Sequence, residues 1–325
     1  MSDTLSQIRS YLKHDLEIYK RTLTDVLSSN VFLIDNITKY IVRHKGKGLR
    51  PLLVLMSARL LDDPNSKTYA VAAIVELLHT ASLIHDDVVD DAEVRRNFPS
   101  INAVWKNKIS VLMGDYLLAK SLITATETGE LTIMSTLAET AKRLSKGELF
   151  QIEKSRKLDI TEDDYLRIIA DKTAALIGAC CKLGAMTVTN STEKYIKLAS
   201  YGENLGMAFQ IKDDLLDFQS DQIVLGKAVG ADLKEKKIPL PLILAFKESP
   251  AHEKKSIITM IKKGVTKDDL KTIYKFTNQY GGLEKAQGYV LKYADMASRQ
   301  IEFLPESEAK VNARRFVNYI INRKK

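Results

Sequence analysis

The chain has 325 residues, of which 49 are Lys or Arg and 41 are Asp or Glu, so its net charge is +8. A basic chain can bind nucleic acid, but here the lysines are spread over amphipathic helices and no nucleic-acid-binding motif accompanies them. We therefore expect no nucleic-acid partner. Only 7 Pro and 15 Gly are present and they form no linker, so the sequence predicts one domain over residues 1–325, although the length would allow two.

The cysteines and the N-terminus indicate the compartment. Cys180 and Cys181 are adjacent in an apolar helical stretch, so they cannot form an ordinary disulfide and are expected to be small core residues. The N-terminus lacks a charged start followed by an apolar core, and no run approaches the roughly 20 apolar residues of a spanning helix. These features predict a cytoplasmic protein without a transmembrane segment.

Helical spacing of apolar residues continues almost throughout the chain. Leu198, Tyr201 and Leu205, for example, recur at intervals of three and four, which is the period of one helix face. Strand-like alternation is scarce. The sequence therefore predicts an all-α fold, with one large domain whose core is built from long helices.

A glycine-rich basic turn, Gly46–Pro51, precedes one of these helices. Lys47 and Arg50 carry the ammonium and guanidinium groups that suit phosphate oxygens. The alternative is purely structural, because a turn before a helix with Pro51 near its start is common. Taken alone, this turn is weak evidence for a binding site.

An acidic motif, Asp86-Asp87-Val88-Val89-Asp90, ends an apolar helical run, and Arg95 and Arg96 follow it. On a helix, residues four apart share a face, so Asp86 and Asp90 project together. Clustered carboxylates repel one another unless a cation lies between them, and hard oxygen ligands favour Mg²⁺, which commonly shares substrate phosphates. The motif predicts a Mg²⁺-bridged diphosphate.

The same pattern recurs at Asp213-Asp214-Leu215-Leu216-Asp217, where Asp213 and Asp217 share a face. Aspartate pairs also begin ordinary helices. Asp163-Asp164 and Asp268-Asp269 follow threonines in Thr-x-x-Asp capping boxes, so we interpret both as caps. The two acidic motifs differ from these caps because each carries a third aspartate and follows an apolar run.

The segment from Gln219 to Pro239 is polar, contains glycine and is rich in lysine. One interpretation is a solvated linker. The other is a mobile lid whose Lys227 and Lys237 close on a diphosphate and exclude water.

In their order along the chain, these motifs resemble those of the trans-isoprenyl diphosphate synthases. The matching segments are the basic turn from Lys45 to Pro51, DDVVDDAEVRR from Asp86 to Arg96, Lys172-Thr173, FQIKDDLLD from Phe209 to Asp217, Lys227 and Lys237. The resemblance spans nearly the whole chain and is closest to the long-chain octaprenyl- and heptaprenyl-type synthases. It departs in the turn, where the family's first Gly is Lys45 and an Arg common after its Lys is Gly48.

The resemblance implies a helical bundle around a deep central cavity, usually as a homodimer. It also implies that Asp86, Asp90 and Asp213 bind three Mg²⁺ ions with the allylic diphosphate, supported by Asp87 and by Asp217, which completes the metal-binding set. By the same resemblance, Arg95, Lys172, Lys227 and Lys237 hold this diphosphate, and Gln210 and Lys172-Thr173 direct oxygen dipoles at the carbocation. For each of these polar residues the alternative is packing and hydrogen bonding at a helix interface.

The second substrate implied by the resemblance is isopentenyl diphosphate, held by Lys47, Arg50, His79 and Arg96. For His79, a histidine on an apolar helix, a buried core role is an equal alternative. The resemblance also gives product length one determinant. Ala81 and Ser82, one turn before Asp86, stand where short-chain members carry aromatics. The tail can therefore grow past them into a long chain. Release of this product would involve transient membrane contact.

Three other functions stay open at this stage. A short-chain farnesyl or geranylgeranyl diphosphate synthase would share every motif. A terpene cyclase usually replaces the second motif with an Asn/Ser/Glu triad, and Asp213 to Asp217 argue against this. A non-catalytic subunit would be expected to have lost acidic motifs, and this chain keeps both.

Overall fold

The computed structural model describes residues 2–44, 46–95, 98–219 and 231–323. The first helices are α1 Ser2–Tyr11, α2 Lys13–Leu27, α3 Phe32–Arg43, α4 Leu49–Arg59, α5 Ser66–Val89, α6 Ile101–Glu127 and α7 Leu131–Lys157. Next come α8 Glu162–Ile169, a π-helical turn Ala170–Ala174, α9 Ala175–Met186 and α10 Thr192–Gln219. The last are α11 Ala231–Lys234, α12 Leu240–Glu248, α13 Ala251–Lys263, α14 Lys267–Gln279, α15 Gly282–Arg299 and α16 Glu308–Asn322.

The all-α prediction is confirmed. The strands in the described ranges are β1 Val94–Arg95 and β2 Phe98–Pro99, which form an antiparallel hairpin with Arg95 opposite Phe98. The hairpin is anchored from α3, because the Tyr40 hydroxyl donates to the Pro99 carbonyl at 2.7 Å. The Tyr40 ring also packs edge-on against Trp105 of α6, with centroids 5.1 Å apart.

The core is formed where α5 packs against α4, α6 and α9, and where α10 packs against α9 and α15. Several of these contacts bring two backbones together at a glycine. A Cβ added at Gly184 of α9 would lie 2.2 Å from the Val54 carbonyl oxygen of α4, and one at Gly202 of α10 would lie 2.6 Å from the Ile177 carbonyl oxygen. Cys180 and Cys181 are fully buried free thiols in α9, which confirms their predicted core role.

Both predicted caps are confirmed. Thr161 begins α8 and Thr266 begins α14, each accepting a hydrogen bond from the backbone of the aspartate three residues on. The side chains of Asp164 and Asp269 in turn accept a hydrogen bond from the backbone N–H of the cap threonine. These acidic pairs therefore stabilise helix ends.

Two helices of the described residues are long and apolar enough to resemble membrane spans, although the sequence contains no run of about 20 apolar residues. Ser66–Val89 and Ile101–Glu127 both meet that criterion by length and composition. In α5, 67% of the most apolar window is buried inside the protein, so α5 is a core helix. Helical periodicity did not distinguish it from a span because a helix packed on several sides is apolar nearly all round.

Replacing Gly184 by Ala should destabilise the protein, because the new methyl would overlap the Val54 carbonyl and push α9 away from α4. Overpacking of this kind costs about 1–3 kcal/mol of unfolding free energy, measurable as a lower midpoint in urea.

Gly288 in α15 is the matched control, since a Cβ there meets no atom within 4 Å. Gly288→Ala should be neutral or stabilise by up to ~1 kcal/mol through helix propensity. Equal midpoints for the two variants would contradict the proposed close contact.

Candidate active site

The two acidic motifs end up on different helices of the core. Asp86 and Asp87 lie in the last turn of α5 and Asp90 directly follows it, whereas Asp213 and Asp217 lie in the last two turns of α10. Asp87 is buried, Asp86, Asp90 and Asp213 are half-buried, and Asp217 is exposed. The carboxylates of each motif thus differ in their exposure to solvent.

Cations from other parts of the chain contact the first motif. The Arg95 Nε lies 2.5 Å from Asp87 Oδ1, and the β1–β2 hairpin holds Arg95 in this position. Lys237, which precedes α12, donates to both Asp90 oxygens at 3.3 and 3.2 Å. Two basic residues selected from sequence, 8 and 147 positions away from their partners, therefore meet the motif.

The second motif has its own partners. Arg323, the residue after α16, contacts the Asp213 carboxylate through its guanidinium. The Tyr165 hydroxyl donates to Asp214 Oδ2 at 2.6 Å, and the Gln210 amide donates to Asp214 Oδ1 at 3.0 Å. Sequence reasoning missed Arg323 and Tyr165, since nothing local to either residue indicates a partner more than 40 positions away.

Lys172 and Thr173 lie in the π-helical turn between α8 and α9. π-Helical turns of this kind are frequent at functional sites because they displace backbone groups from the regular ladder. The Lys172 ammonium contacts Glu148 of α7 and donates to Gln151 Oε1 at 3.1 Å. Thr173 donates to Gln210 Oε1 at 2.9 Å, which joins two residues that the resemblance placed in the site.

Glu148 is a site residue that sequence reasoning missed. It precedes Gln151 by three positions, so both lie on one face of α7. The adjacent Gly147 explains how α7 comes so close, because a Cβ there would lie 2.8 Å from the Lys172 backbone nitrogen. The sequence signal for Glu148 was a glycine directly before a glutamate on a helix. This combination is too common in helices to identify a site residue.

Asp86 is electrostatically unusual. Burial raises the pKa of its carboxyl to about 6, with the Lys172 and Arg95 charges acting to lower it and Glu148 and Asp90 acting to raise it. The carboxylate form is therefore disfavoured until a further cation is supplied.

The basic turn confirms its predicted form. Gly48 precedes α4 with a φ of 58°, a left-handed conformation that favours glycine, and Pro51 lies in the first turn of the helix. The Arg9 guanidinium donates to the Lys47 carbonyl at 2.5 Å, and the Lys47 ammonium lies 5.9 Å from the centre of the Tyr319 ring.

Other predicted residues have simpler positions. His79 is buried on α5 and lines a cavity of about 100 Å³ together with Asp87 and Arg95. Ala81 is buried, and the half-buried Ser82 donates its hydroxyl to the His79 carbonyl at 2.9 Å. Arg96 and Lys227, together with Lys45 of the basic turn, lie outside the described residues.

A second cavity, of about 140 Å³, lies between α7, α8, α10 and the segment before α12. Its polar walls include Gln151, Lys172, Thr173, Gln210, Asp214 and Lys237. Within the described ranges, no three His, Cys, Asp or Glu side chains converge on one point. Oxygen-only donors split between two helices nevertheless fit Mg²⁺, which commonly takes one or two carboxylates and completes its shell with water and phosphate.

Comparison with known proteins agrees with this geometry. The sequence model of the polyprenyl synthetase family matches residues 32–277. Octaprenyl diphosphate synthase of Escherichia coli is 33% identical over 303 residues, 93% of this chain and 94% of that protein. A short chain isoprenyl diphosphate synthase of Methanothermobacter thermautotrophicus is 30% identical over 327 residues, 99% of each chain.

A solved structure also superimposes closely. It is a polyprenyl synthase from Caulobacter crescentus complexed with calcium and isoprenyl diphosphate, with a TM-score of 0.92, 31% identity and coverage of 100% of this chain and 99% of that one. A divalent metal is thus present in a relative with the same fold. The chain belongs to the polyprenyl synthetase family and is a prenyltransferase of the prenyl diphosphate synthase type.

Proposed function

We propose that this enzyme condenses isopentenyl diphosphate successively onto an allylic prenyl diphosphate and releases a long-chain all-trans-polyprenyl diphosphate. One catalytic domain over residues 1–325 carries the reaction. The observation that supports this most directly is that Arg95, Lys237 and Lys172 all reach the first acidic motif or its neighbour Glu148. Carboxylates that hold metal and cations that hold phosphate are therefore present side by side.

The metal-binding set is Asp86, Asp90, Asp213 and Asp217, with Asp87 in support, and it would hold three Mg²⁺ ions. Mg²⁺ would neutralise the negative charge that develops on the departing pyrophosphate. Arg95, Lys172, Lys227 and Lys237 bind the same diphosphate and orient it. Because Arg95, Lys172 and Lys237 already contact carboxylates, these three cations are held in position before the substrate arrives.

The reaction needs no protein nucleophile. The allylic carbon–oxygen bond breaks, pyrophosphate leaves with the bonding electrons, and the double bond of isopentenyl diphosphate attacks the resulting cation. A proton is then lost to the pyrophosphate, which completes a five-carbon extension. Lys47, Arg50, His79 and Arg96 hold isopentenyl diphosphate, while Gln210 and Thr173, joined by a hydrogen bond, direct oxygen atoms towards the cation.

Homodimer formation is supported by α6. Val111, Leu112 and Ile123 are exposed large apolar side chains on the part of this helix that follows Lys106, where the backbone leaves helical geometry. At 100° per residue they fall within one stripe about 120° wide, which would be buried against an identical helix. We propose that the enzyme works as a cytoplasmic homodimer.

Incubating the pure protein with farnesyl diphosphate, radiolabelled isopentenyl diphosphate and Mg²⁺ tests the function. A ladder of linear products supports the proposal. A cyclic hydrocarbon would indicate a terpene cyclase, and no turnover would indicate a non-catalytic subunit.

Asp86→Ala and Asp213→Ala should each lower turnover greatly, since several kcal/mol of transition-state stabilisation depend on the metal ligands. Near wild-type turnover of either variant at saturating Mg²⁺ would contradict the metal assignment.

The pH dependence should reveal competition between proton and metal at Asp86. Its pKa is raised to about 6, so below that pH the carboxyl holds a proton and cannot bind metal. At limiting Mg²⁺, turnover should fall as the pH drops through about 6, and added Mg²⁺ should move this limb to lower pH. An acid limb that does not respond to Mg²⁺ concentration would assign the titration to another group.

Lys47→Ala and Arg50→Ala should raise KM for isopentenyl diphosphate much more than KM for the allylic substrate. Each removes charge-assisted hydrogen bonds to one diphosphate, worth about 1.5–3 kcal/mol apiece. Steady-state kinetics with each substrate varied in turn measures the effect. Equal changes in both KM values would mean that the two diphosphate positions are exchanged or shared.

Ala81→Tyr should shorten the product to about the length of farnesyl or geranylgeranyl diphosphate without preventing the first condensation. Ala81 is buried on α5 five residues before Asp86, and a helical rise of about 1.5 Å per residue sets its distance below that carboxylate. A close-packed interior leaves an added aromatic ring little room to move aside. Chromatography of dephosphorylated products measures the length. An unchanged long-chain distribution would place the tail elsewhere, and short products from the wild type would favour a short-chain synthase.

A further inference from the structure

Arg323 follows α16 and lies at the second acidic motif. Its side chain is 8% exposed, and its Nη2 contacts Oδ1 of Asp213. The guanidinium carbon also lies 4.2 Å from the centre of the Phe209 ring, one turn before Asp213 on α10. Arg323 is therefore enclosed against the same carboxylate that the proposed function assigns to metal.

The Arg323 guanidinium does not use all of its hydrogen-bond donors in this position. Arginine has five N–H donors, yet its buried Nε and Nη1 have no hydrogen-bond partner among the described residues. Unsatisfied buried donors are costly, so this contact is easier to release than a fully bonded ion pair.

A divalent ion bound at Asp213 would face the guanidinium charge across the same carboxylate. At such short range in a partly buried site, like charges repel strongly. The metal and Arg323 therefore compete for the Asp213 carboxylate, and each lowers the affinity of this carboxylate for the other.

We propose that Arg323 is a built-in counter-cation for Asp213, which occupies the metal-binding carboxylate in the metal-free enzyme and is displaced when the metal binds. Binding of the metal at Asp213 and release of the Arg323 side chain are then one event. The inference rests on the proposed metal role of Asp213, and it makes Arg323 a positioning residue whose removal should strengthen metal binding.

Mn²⁺ titrations of the full chain without substrate, followed by electron paramagnetic resonance, test this. Arg323→Gln should bind Mn²⁺ at the site that includes Asp213 about tenfold more tightly than wild type does. A factor of this size is within the usual range of coupling between competing ligands. Arg323→Lys keeps the charge and should stay nearer to wild type. Arg314→Gln is the matched control on α16, because Arg314 is paired with Glu302 and Glu306 and should leave Mn²⁺ affinity unchanged.

Hydrogen exchange gives a second readout that does not depend on catalysis. Mn²⁺ should lower the protection of residues 308–323 in the wild type, and Arg323→Gln should show that lower protection before any metal is added. Equal Mn²⁺ affinity in wild type and Arg323→Gln would overturn the counter-cation while leaving the metal site intact. Absence of Mn²⁺ binding in every variant would overturn both this inference and the proposed metal assignment.

Discussion

The central constraint on this molecule is that buried and half-buried carboxylates must be neutralised. Asp86, Asp87, Asp90 and Asp213 lie close to the helical core, where unpaired negative charge is disfavoured. Each of the three for which a contact is described has a cationic partner. Arg95, eight residues on, contacts Asp87, whereas Lys237 and Arg323 come from distant parts of the chain to Asp90 and Asp213. The arrangement of the β1–β2 hairpin, the segment before α12 and the end of α16 follows from this requirement.

Close helix packing makes that arrangement rigid. Gly147 allows α7 to approach the π-helical turn, and Gly184 and Gly202 allow α9 to lie against α4 and α10. Glu148 and Lys172 can meet only because this approach is so short. The polar site is thus supported by contacts between backbones, and a single added methyl group at one of these glycines can disturb it.

The sequence was sufficient for features that depend on local periodicity. It predicted the all-α class, the two caps at Thr161 and Thr266, the turn before α4 and the helical positions of both acidic motifs. It also selected Arg95 and Lys237. Long-range contacts escaped it, because Glu148, Tyr165 and Arg323 become partners of the site only when distant helices pack together. The apolar character of α5 was underestimated, since a helix buried on several sides has the composition of a membrane span.

The anchoring of the hairpin has a spectroscopic consequence. Trp105 is the single tryptophan of the chain, and it packs edge-on against Tyr40, whose hydroxyl holds Pro99. The strand opposite Pro99 leads directly into Arg95. A movement of the Arg95 guanidinium that is transmitted along this hairpin changes the surroundings of the Trp105 indole ring. The intrinsic fluorescence of the enzyme therefore reports on the first acidic motif without an added label.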